Sequence, residues 1–256
     1  MIFTLKRGLV AEASISIESE ALQFGLGLFE TLKAKNGKAF LLEEHVQRLV
    51  TCAETIGLEA GVSEEQIIDF AQTSLTHLVP ETLCRVKLIA TGEDVFLIAK
   101  PLSENFELDS ISLLPLKKNR SIPAIKSLNY LDCHLAFGEA QKQGYDDALL
   151  YACKDKVRET SRANIFWVQG GEIFTTTHLA LAGITQAFVM ANFVVTVAEV
   201  TLGELNKADE AFMTNSIQGV CPVTKIGEQV FESGPMTKKV QAFYQKQEAL
   251  ALGGDL

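Results

Sequence analysis

The sequence predicts an α+β fold divided into two domains, and three observations support this. A β-hairpin is indicated from Leu28 to Leu42, because two strand patterns are joined by Asn36-Gly37, a strong short-range signal for a hairpin turn. Glu43 to Ile56 then shows the apolar spacing of an amphipathic helix. The polar, basic stretch from Leu116 to Ser121 precedes a proline and resembles a linker. We therefore expect a small N-terminal domain, residues 1–116, and a larger C-terminal domain, residues 122–256.

Composition and charge limit the classes of function. Of the 256 residues, 47% are hydrophobic and 21% are charged, which is typical of a globular protein with an ample core. The formal net charge of −9 disfavours nucleic acid as a partner. The most apolar window, Ala187 to Val200, is shorter than the roughly 20 apolar residues of a membrane span, and no export signal begins the chain. The five cysteines include no CxxC pair and predict reduced thiols, so we expect a cytoplasmic protein.

The remaining elements of the N-terminal half follow from the same kinds of pattern. A second helix is predicted from Ser63 to about His77, because Ser63 and Gln66 form a capping-box pattern. Two further apolar strands pair across residues 91–94. Beyond the first hairpin, the predicted strands of this half are Ile2–Leu5, Leu9–Ala11, Leu83–Ala90, Val95–Lys100 and Ile111–Leu114.

The C-terminal half begins with a predicted helix in which Leu128, Leu131 and Leu135 have helical spacing, and Gly144 follows its end. The other predicted helices are Gly183–Asn192, a short one capped by Thr201 and Glu204, and Thr237–Leu250. The predicted strands are Asp147–Tyr151, Val157–Thr160, Asn164–Val168, Glu172–Phe174, Val194–Val200, Glu210–Met213 and Val220–Ile226.

Lys126 is the first candidate functional residue, since it lies between a short apolar strand pattern and the first helix of this half. Side chains at such junctions reach into clefts. An amine beside Ile122, Pro123 and Ile125 would be partly desolvated, which lowers its pKa and favours attack on a carbonyl carbon, as in Schiff-base formation. From this window alone the alternative is a solvated surface lysine, the commoner state of lysines.

Glu30 is a second candidate, because it lies on an otherwise apolar face of the first hairpin strand, with Leu28, Leu32 and Ala34. A buried carboxylate requires a partner. Two interpretations stand equally: Glu30 contacts a ligand such as the substrate, or backbone groups or a nearby arginine satisfy it.

Two hydroxyl-bearing turns could bind an anion. Gly183-Ile184-Thr185 begins a helix, where free amides and the helix dipole favour phosphate. Thr214-Asn215-Ser216 lies between two predicted strands, and Asn215 is also a candidate substrate contact. Arg48 could add a fixed positive charge to the same anion. Each feature also has an ordinary explanation as a cap or a turn.

Several familiar sites are excluded. Phe24-Gly25-Leu26-Gly27 resembles the start of a dinucleotide-binding loop, but Glu30 occupies the place of the third glycine and no strand–turn–helix pattern follows. The four histidines show no HExxH and no cluster with acids at metal spacing, so no metal site is expected. The GxSxG of many serine hydrolases is missing as well.

Five blocks of sequence stand out along the chain: FGLGLFETLKAKNGKAFLLEEHVQRL, KSLNYLDCHLAFGEAQKQGYDDALL, VRETSRANIFWVQGGEIFTT, LAGIT and ADEAFMTNSIQGVCPV. In this order and roughly at this spacing, they resemble the class IV pyridoxal-phosphate enzymes. That family holds branched-chain and D-amino-acid aminotransferases together with aminodeoxychorismate lyases. The resemblance covers the whole chain and implies a two-domain fold of type IV, with a small N-terminal α/β domain and a larger C-terminal domain built on a β-barrel-like sheet.

The resemblance also implies roles for individual residues. Lys126 matches the lysine that forms the internal aldimine with pyridoxal 5′-phosphate and moves the proton. Glu159 matches the acid that faces the pyridine nitrogen and keeps the ring protonated as an electron sink. Tyr130 resembles a neighbour of the phenolic oxygen, and Asn164 lies in the block behind the ring. The matched phosphate contacts are Arg48, Ile184, Thr185 and Ser216. Family sites lie between the two domains, and a homodimer is implied.

The blocks GLFET, LLEEHVQRL and ANIFW are most similar to aminodeoxychorismate lyases, which implies conversion of 4-amino-4-deoxychorismate to 4-aminobenzoate and pyruvate, on the route to folate. Some of these lyases carry a loop rich in glycine and arginine where this chain has the short, acidic Thr91-Gly92-Glu93-Asp94. An aminotransferase acting on branched-chain L-amino acids or D-amino acids is therefore the alternative. A third possibility is a homologue that binds the cofactor without catalysis, but the joint retention of Lys126, Glu159 and Arg48 argues against it.

Overall fold

A computed structural model describes residues 1–58 and 61–254 of the chain. Contacts divide the chain into two compact units, each assembled from more than one segment. Unit 1 comprises Met1–Glu104, Ile125–Asn129 and Lys246–Leu256, and unit 2 comprises Asn105–Ala124 and Tyr130–Gln245.

Unit 1 combines an antiparallel sheet of six strands with two long helices. Its strands are β1 (Ile2–Thr4), β2 (Gly8–Val10), β3 (Leu28–Lys35), β4 (Lys38–Ala39), β5 (Cys84–Ala90) and β6 (Val95–Pro101). Its helices are α1 (Glu20–Gln23), α2 (Leu42–Ile56) and α3 (Glu64–Leu75). The strands follow the order β2-β1-β6-β5-β3-β4.

The local signals explain why the elements of unit 1 form where they do. Asn36 and Gly37 both have positive φ, 52° and 75°, as the hairpin between β3 and β4 requires. Gly57 ends α2 in the left-handed conformation, and Ser63 makes the predicted capping box with Gln66 at the start of α3. The apolar face of α2, including Leu49, packs on the sheet around β3, β5 and β6. The predicted hairpins and helices of this region are confirmed.

Unit 2 is built on a mixed sheet of nine strands. Its strands are β7 (Ile111–Lys117), β8 (Asp147–Tyr151), β9 (Val157–Thr160), β10 (Asn164–Gln169), β11 (Glu172–Thr175), β12 (Val195–Val197), β13 (Glu210–Asn215), β14 (Gly219–Ile226) and β15 (Gln229–Val230). Its helices are α4 (Leu131–Lys142), α5 (Ile184–Asn192), α6 (Leu202–Leu205) and α7 (Pro235–Ala251), the last of which continues into unit 1.

The sheet of unit 2 curls back on itself. Its strand order is β12-β11-β10-β13-β14-β7-β8-β9, with β15 paired to β14. Strand β7 pairs in parallel with both β14 and β8, whereas β10 and β13 pair antiparallel. A tight turn links the last strand, β9, to β10, where the Thr160 amide donates to the Ala163 carbonyl at 2.7 Å. This curl agrees with the barrel-like sheet that was expected.

The division of the chain differs from the expected boundary at residues 116–122. The basic stretch that resembled a linker begins inside β7, since Leu116 and Lys117 pair with Leu150 and Tyr151 of β8. The chain crosses from unit 1 to unit 2 at Glu104, and residues 125–129 return to unit 1. A polar, basic composition did not distinguish the end of a sheet strand from a linker.

The predicted helix after Lys126 begins later than expected. Helix α4 starts at Leu131, and Leu128 lies before it in a bend. Leu131 and Leu135 are 61% and 54% exposed, so the leucine spacing does not mark the buried face. Small residues mark it instead, because Ala136 and Ala140 pack against β8. The predicted strand before Lys126 does not form, and the one from Val194 to Val200 is reduced to β12.

No helix in the described part of the chain is long and apolar enough to cross a membrane.

Candidate active site

Backbone hydrogen bonds hold Lys126 in place at the start of β3. The Phe29 amide donates to the Lys126 carbonyl at 3.0 Å, and the Leu128 amide donates to the Gly27 carbonyl at 2.8 Å. Ser127 forms an isolated β-bridge with Leu28 between them. The Nζ atom of Lys126 lies 4.6 Å from the centre of the Phe29 ring. The lysine is therefore fixed by its own backbone to a buried strand and half-buried beside an aromatic ring.

Gly25 and Gly27, which lie before β3 and resembled the start of a dinucleotide-binding loop, allow close packing of the backbone. A Cβ atom at Gly27 would lie 2.7 Å from Leu128 Cδ1 and 3.1 Å from the Ala90 carbonyl oxygen. Gly25 has a φ of 69° and lies directly against Asn129. Side chains at these two positions would push away residues 126–129, so the glycines allow the lysine segment to approach β3.

Glu30 has protein partners on both carboxylate oxygens. Arg48 donates to it twice, from Nε to Oε1 at 2.8 Å and from Nη2 to Oε2 at 2.6 Å. His45 Nδ1 lies 2.7 Å from Oε2. His45 and Arg48 are three positions apart on α2, so one helix face supplies both contacts. The interpretation in which an arginine satisfies Glu30 thus has direct geometric support.

The electrostatics of this cluster favour an ionised Glu30. Burial by itself would raise the pKa of Glu30, but the charge of Arg48 and the hydrogen bonds from His45 and Arg48 lower it from 4.5 to about 2. Burial lowers the pKa of His45 and outweighs the effect of Glu30, and the positive charges of Arg48 and Lys126 act in the same direction as burial. Unit 1 therefore places Lys126, Glu30 and Arg48 in one electrostatically connected group.

Glu159 in unit 2 is also a buried carboxylate with an arginine partner. Its Oε1 accepts from Arg120 Nη1 at 3.0 Å, and its Oε2 accepts from the Leu181 amide at 3.1 Å. Arg120 Nη1 also reaches the Pro123 carbonyl at 3.3 Å. The pKa of Arg120 is raised, because the charge of Glu159 outweighs the effect of burial. A guanidinium and a backbone amide thus both favour the ionised form of Glu159.

Asn164 connects Glu159 to the start of α5. Its side-chain amide donates to the Leu181 carbonyl at 2.8 Å, while the amide of the same Leu181 binds Glu159. A Cβ atom at Gly183, the N-cap of α5, would overlap Asn164 Oδ1, so this position requires glycine. Within the described chain no side chain caps α5. The Glu159 carboxylate is therefore hydrogen-bonded to Leu181, which lies two positions before Gly183, the N-cap of α5.

Thr214, Asn215 and Ser216 are brought to the same part of unit 2. Thr214 of β13 pairs with Asn164 of β10. Asn215 is the last residue of β13, and Ser216 is the next residue along the chain. Asn215 Oδ1 accepts from the amides of Ile217 and Gln218 at 2.9 and 2.8 Å. The structure thus gives Asn215 a role in shaping this turn.

Tyr130 lies beside the Arg120–Glu159 pair. Its hydroxyl donates to the Ser161 carbonyl at 2.9 Å, and the Arg120 guanidinium carbon lies 6.0 Å from the centre of its ring. Burial raises the pKa of Tyr130 well above its ordinary value, so the hydroxyl keeps its proton. The predicted contacts Tyr130, Glu159, Asn164, Ile184, Thr185 and Ser216 all belong to unit 2, whereas Lys126, Arg48 and Glu30 belong to unit 1.

Three residues of these clusters were missed in the sequence. His45 and Arg120 are the partners of Glu30 and Glu159. Asp147, a buried acid on β8, accepts from the hydroxyls of Thr160 and Ser161 and from the Ala148 amide at 2.7 Å, and it supports the turn that follows Glu159. His45 could have been found, because it lies three positions before Arg48 on a predicted helix. Arg120 and Asp147 carried no local signal.

Each unit carries groups that, taken by themselves, suit a part of a phosphorylated pyridine cofactor. A glycine N-cap with free backbone donors suits a phosphate group. A carboxylate held ionised by an arginine suits a protonated ring nitrogen. A lysine on a rigid strand edge suits a carbonyl carbon.

The model of the amino-transferase class IV family matches residues 27–226, and the chain belongs to this family. A relative from Methanocaldococcus jannaschii, provisionally named a branched-chain-amino-acid aminotransferase, is 30% identical over 90% of this chain and 90% of its own. A D-alanine aminotransferase of Listeria monocytogenes is 28% identical over 94% of this chain and 93% of its own. An aminodeoxychorismate lyase of Bacillus subtilis is 28% identical over 92% of this chain and 90% of its own.

Solved structures confirm the fold. The branched-chain aminotransferase of Thermoproteus uzoniensis superposes with a TM-score of 0.87 at 23% identity, covering 99% of this chain and 95% of its own. The branched-chain aminotransferase of Escherichia coli has a TM-score of 0.85 at 24% identity, covering 100% of this chain and 95% of its own. A further branched-chain aminotransferase of this fold, with a TM-score of 0.87, was solved in complex with N-(5′-phosphopyridoxyl)-L-glutamate. The expected fold type IV and the resemblance to class IV enzymes are confirmed, and pyridoxal 5′-phosphate is the cofactor of this chain.

Proposed function

We propose that the chain is a lyase that converts 4-amino-4-deoxychorismate into 4-aminobenzoate and pyruvate. The observation that carries this proposal is the match to the Bacillus subtilis aminodeoxychorismate lyase along almost the whole of both chains. The blocks GLFET, LLEEHVQRL and ANIFW, which resemble the lyases, lie within the region of the family match. The proposed product, 4-aminobenzoate, is a precursor of folate.

Lys126 has the central role in this proposal. When bound, pyridoxal 5′-phosphate supplies an aldehyde for the substrate amine and a ring that withdraws electrons from the adjacent carbon. Lys126 Nζ holds the cofactor covalently in the resting enzyme, removes the proton from the ring carbon that bears the amine, and protonates the departing enolpyruvyl group. The strand-edge hydrogen bonds and the Phe29 ring orient this amine.

Glu159 is proposed to bind the protonated ring nitrogen. This function requires a carboxylate that stays ionised although it is only 4% exposed. Arg120 and the Leu181 amide provide that stabilisation at 3.0 and 3.1 Å. Because these two donors favour the ionised carboxylate, Glu159 can accept hydrogen bonds but is unsuited to donate a proton.

The phosphate is proposed to bind the amides of Ile184 and Thr185 with Arg48 and Ser216. The helix N-terminus contributes donors and a partial positive charge. Glu30 and Asn215 were candidates for substrate contact, and their observed partners support a different contribution. Glu30 orients the guanidinium of Arg48, and Asn215 shapes the turn that presents Ser216. Tyr130, whose hydroxyl donates to the Ser161 carbonyl, is proposed to lie beside the phenolic oxygen, and Asn164 is proposed to support the loop at the ring edge.

A class IV aminotransferase is the second candidate, favoured by the relatives from Methanocaldococcus jannaschii and Listeria monocytogenes. In that reaction Lys126 would take the proton from the substrate carbon that bears the amine and deliver it to the cofactor. Water would then release a keto acid, and the amino group would stay on the cofactor. We also propose a homodimer, which is supported by three exposed apolar side chains near α1: Ile17, Leu22 and Phe24.

The test is an assay of purified holoprotein with 4-amino-4-deoxychorismate, in which 4-aminobenzoate and pyruvate are quantified. Equal amounts of the two products, lost in Lys126→Ala, would establish the lyase. If the cofactor is covalently attached but neither product forms, the lyase proposal fails. A panel of L- and D-amino acids with 2-oxoglutarate then tests the aminotransferase. Lys126→Arg is the matched control for charge, because it retains the cation without a usable nucleophile.

A further inference from the structure

A cavity of about 260 Å³ lies within unit 2 and is rich in cationic side chains. Its lining comprises Lys118, Asn119, Arg120, Ser121, Pro123, Leu150, Arg158, Glu159 and Leu179. None of the proposed phosphate contacts of the cofactor belongs to this lining. Leu150 and Arg158 alternate along their strands with the core residues Leu149 and Val157, so they point away from the core of the sheet.

Two of the three cations in this cavity have carboxylate partners. Lys118 Nζ lies 3.0 Å from Glu139 Oε2. Arg120 Nη1 lies 3.0 Å from Glu159 Oε1. These two pairs are neutral overall, so the charge balance of the cavity depends on Arg158.

Among the residues that the structure describes, Arg158 is a buried guanidinium without a carboxylate partner. The residue is 7% exposed. Its Nη1 reaches only the His178 carbonyl at 3.3 Å, and its buried Nε has no hydrogen-bond partner within residues 1–58 and 61–254. In the same described residues no carboxylate oxygen lies within 4.0 Å of it. A buried, unpaired charge is strongly unfavourable, which points to an anionic ligand.

We propose that this cavity binds a small oxyanion, either inorganic phosphate or the carboxylate of a small organic acid, through Arg158. Guanidinium groups bind both classes with two parallel N–H donors. Asn119 adds a neutral polar group at the same wall, whereas the hydroxyl and amide of Ser121 already donate to Asp132. The cavity is large enough for either anion. The site is separate from the phosphate contacts assigned to the cofactor.

The experiment uses holoprotein saturated with pyridoxal 5′-phosphate in a buffer free of oxyanions. Inorganic phosphate and acetate are titrated separately by calorimetry, with chloride as the control for ionic strength, and Tm is followed in parallel. We expect one or both oxyanions to bind and to raise Tm by about 5 °C at a 100-fold excess over Kd. The relative affinities identify which class of anion the site takes.

Arg158→Met separates a binding role from a structural one. Removal of an unpaired buried charge should raise Tm in oxyanion-free buffer and abolish both the calorimetric signal and the rise with oxyanion. Arg162→Gln is the matched control, because Arg162 is exposed, stacks on the Phe137 ring and lies outside the cavity, and it should bind like the original chain. Absence of binding, equal binding by Arg158→Met, or binding to the apoprotein alone would overturn the proposal. The last result would locate the anion in the cofactor's own phosphate site.

Discussion

Glu30 and Glu159 are both buried acids paired with an arginine, but their partners come from different levels of structure. Glu30 is bound by Arg48 and His45, two neighbours on the helix that follows its hairpin. Glu159 is bound by Arg120, 39 positions earlier in the chain, and by a backbone amide. The first cluster forms whenever β3 packs against α2, whereas the second requires most of unit 2 to be in place.

The comparison also separates a carboxylate held within its own cluster from one proposed to face the cofactor. Both oxygens of Glu30 are bound by charged or ionisable side chains, and its pKa is lowered to about 2. Glu159 accepts from an arginine and from a backbone amide of the loop before α5, and it is the acid proposed to bind the ring nitrogen. We therefore expect substitutions at Glu30 to act on stability and those at Glu159 to act on catalysis.

The largest effect is expected for Glu159→Gln. Loss of the negative charge facing the ring nitrogen should lower kcat by about a thousandfold, which is typical when a charge-stabilising group is removed. The free energy of unfolding should change less than in Glu30→Gln. Steady-state kinetics and denaturant unfolding of the holoprotein measure the two quantities. Unchanged turnover would show that Glu159 does not face the ring.

Glu30→Gln should reverse that pattern. At pH 7 the substitution removes a carboxylate whose lowered pKa corresponds to about 3 kcal/mol of stability and leaves Arg48 without its charged partner. Turnover should fall much less than in Glu159→Gln. Guanidinium unfolding followed by fluorescence gives the free energy difference. Glu81→Gln is the control, because Glu81 lies in an exposed ion pair with Lys35.

The pH dependence sharpens the same test. Because the pKa of Glu30 is lower in the folded chain than in the unfolded one, its contribution is complete above about pH 5 and is lost as the pH falls from 4.5 towards 2. The stability difference between the original chain and Glu30→Gln should therefore shrink over that range. A difference that is constant between pH 6 and pH 3 would contradict the lowered pKa.

Arg120→Met should have an intermediate effect on catalysis. Loss of the guanidinium removes one of the two groups that favour the ionised carboxylate of Glu159 and weakens its proposed interaction with the ring nitrogen, so we expect kcat/KM to fall about 10- to 100-fold. Arg120→Lys should recover part of this loss, since it retains the charge. The variant also distinguishes the two acids, because the stability contribution of Glu30 should be unaffected. Equal activity in Met and Lys variants would exclude an electrostatic role.

The smallest effect is expected for Gly27→Ala, next to the strand that carries Glu30. The added methyl group would lie 2.7 Å from Leu128 Cδ1, so the lysine segment must shift, at a cost of about 1–2 kcal/mol. Covalent attachment of the cofactor, measured by borohydride reduction and mass spectrometry, should slow. Gly138→Ala is the matched control, because nothing lies within 4 Å of its added carbon and alanine favours α4.

Local patterns predicted much of the fold. The Asn36-Gly37 turn, the capping box of Ser63 and that of Thr201 all form as expected, because each depends on residues within four positions of one another. Spacing was less reliable where packing decides the outcome. The leucines of α4 are exposed because the helix packs on β8 through alanines, and the basic segment from Leu116 to Ser121 begins inside β7.

The candidate site likewise has a part that the sequence predicted and a part that only the tertiary structure showed. The sequence by itself identified the family, the cofactor and the residues proposed to hold it, because the reaction demands a lysine, an acid and a phosphate-binding helix start in a fixed order along the chain. Only the tertiary structure paired Glu30 with Arg48 and His45 and paired Glu159 with Arg120. In the part of the chain that it describes, it also left Arg158 buried without a carboxylate partner. Such pairings join segments that the strand order of a sheet brings together, and that order depends on the burial of whole elements, which no local pattern encodes.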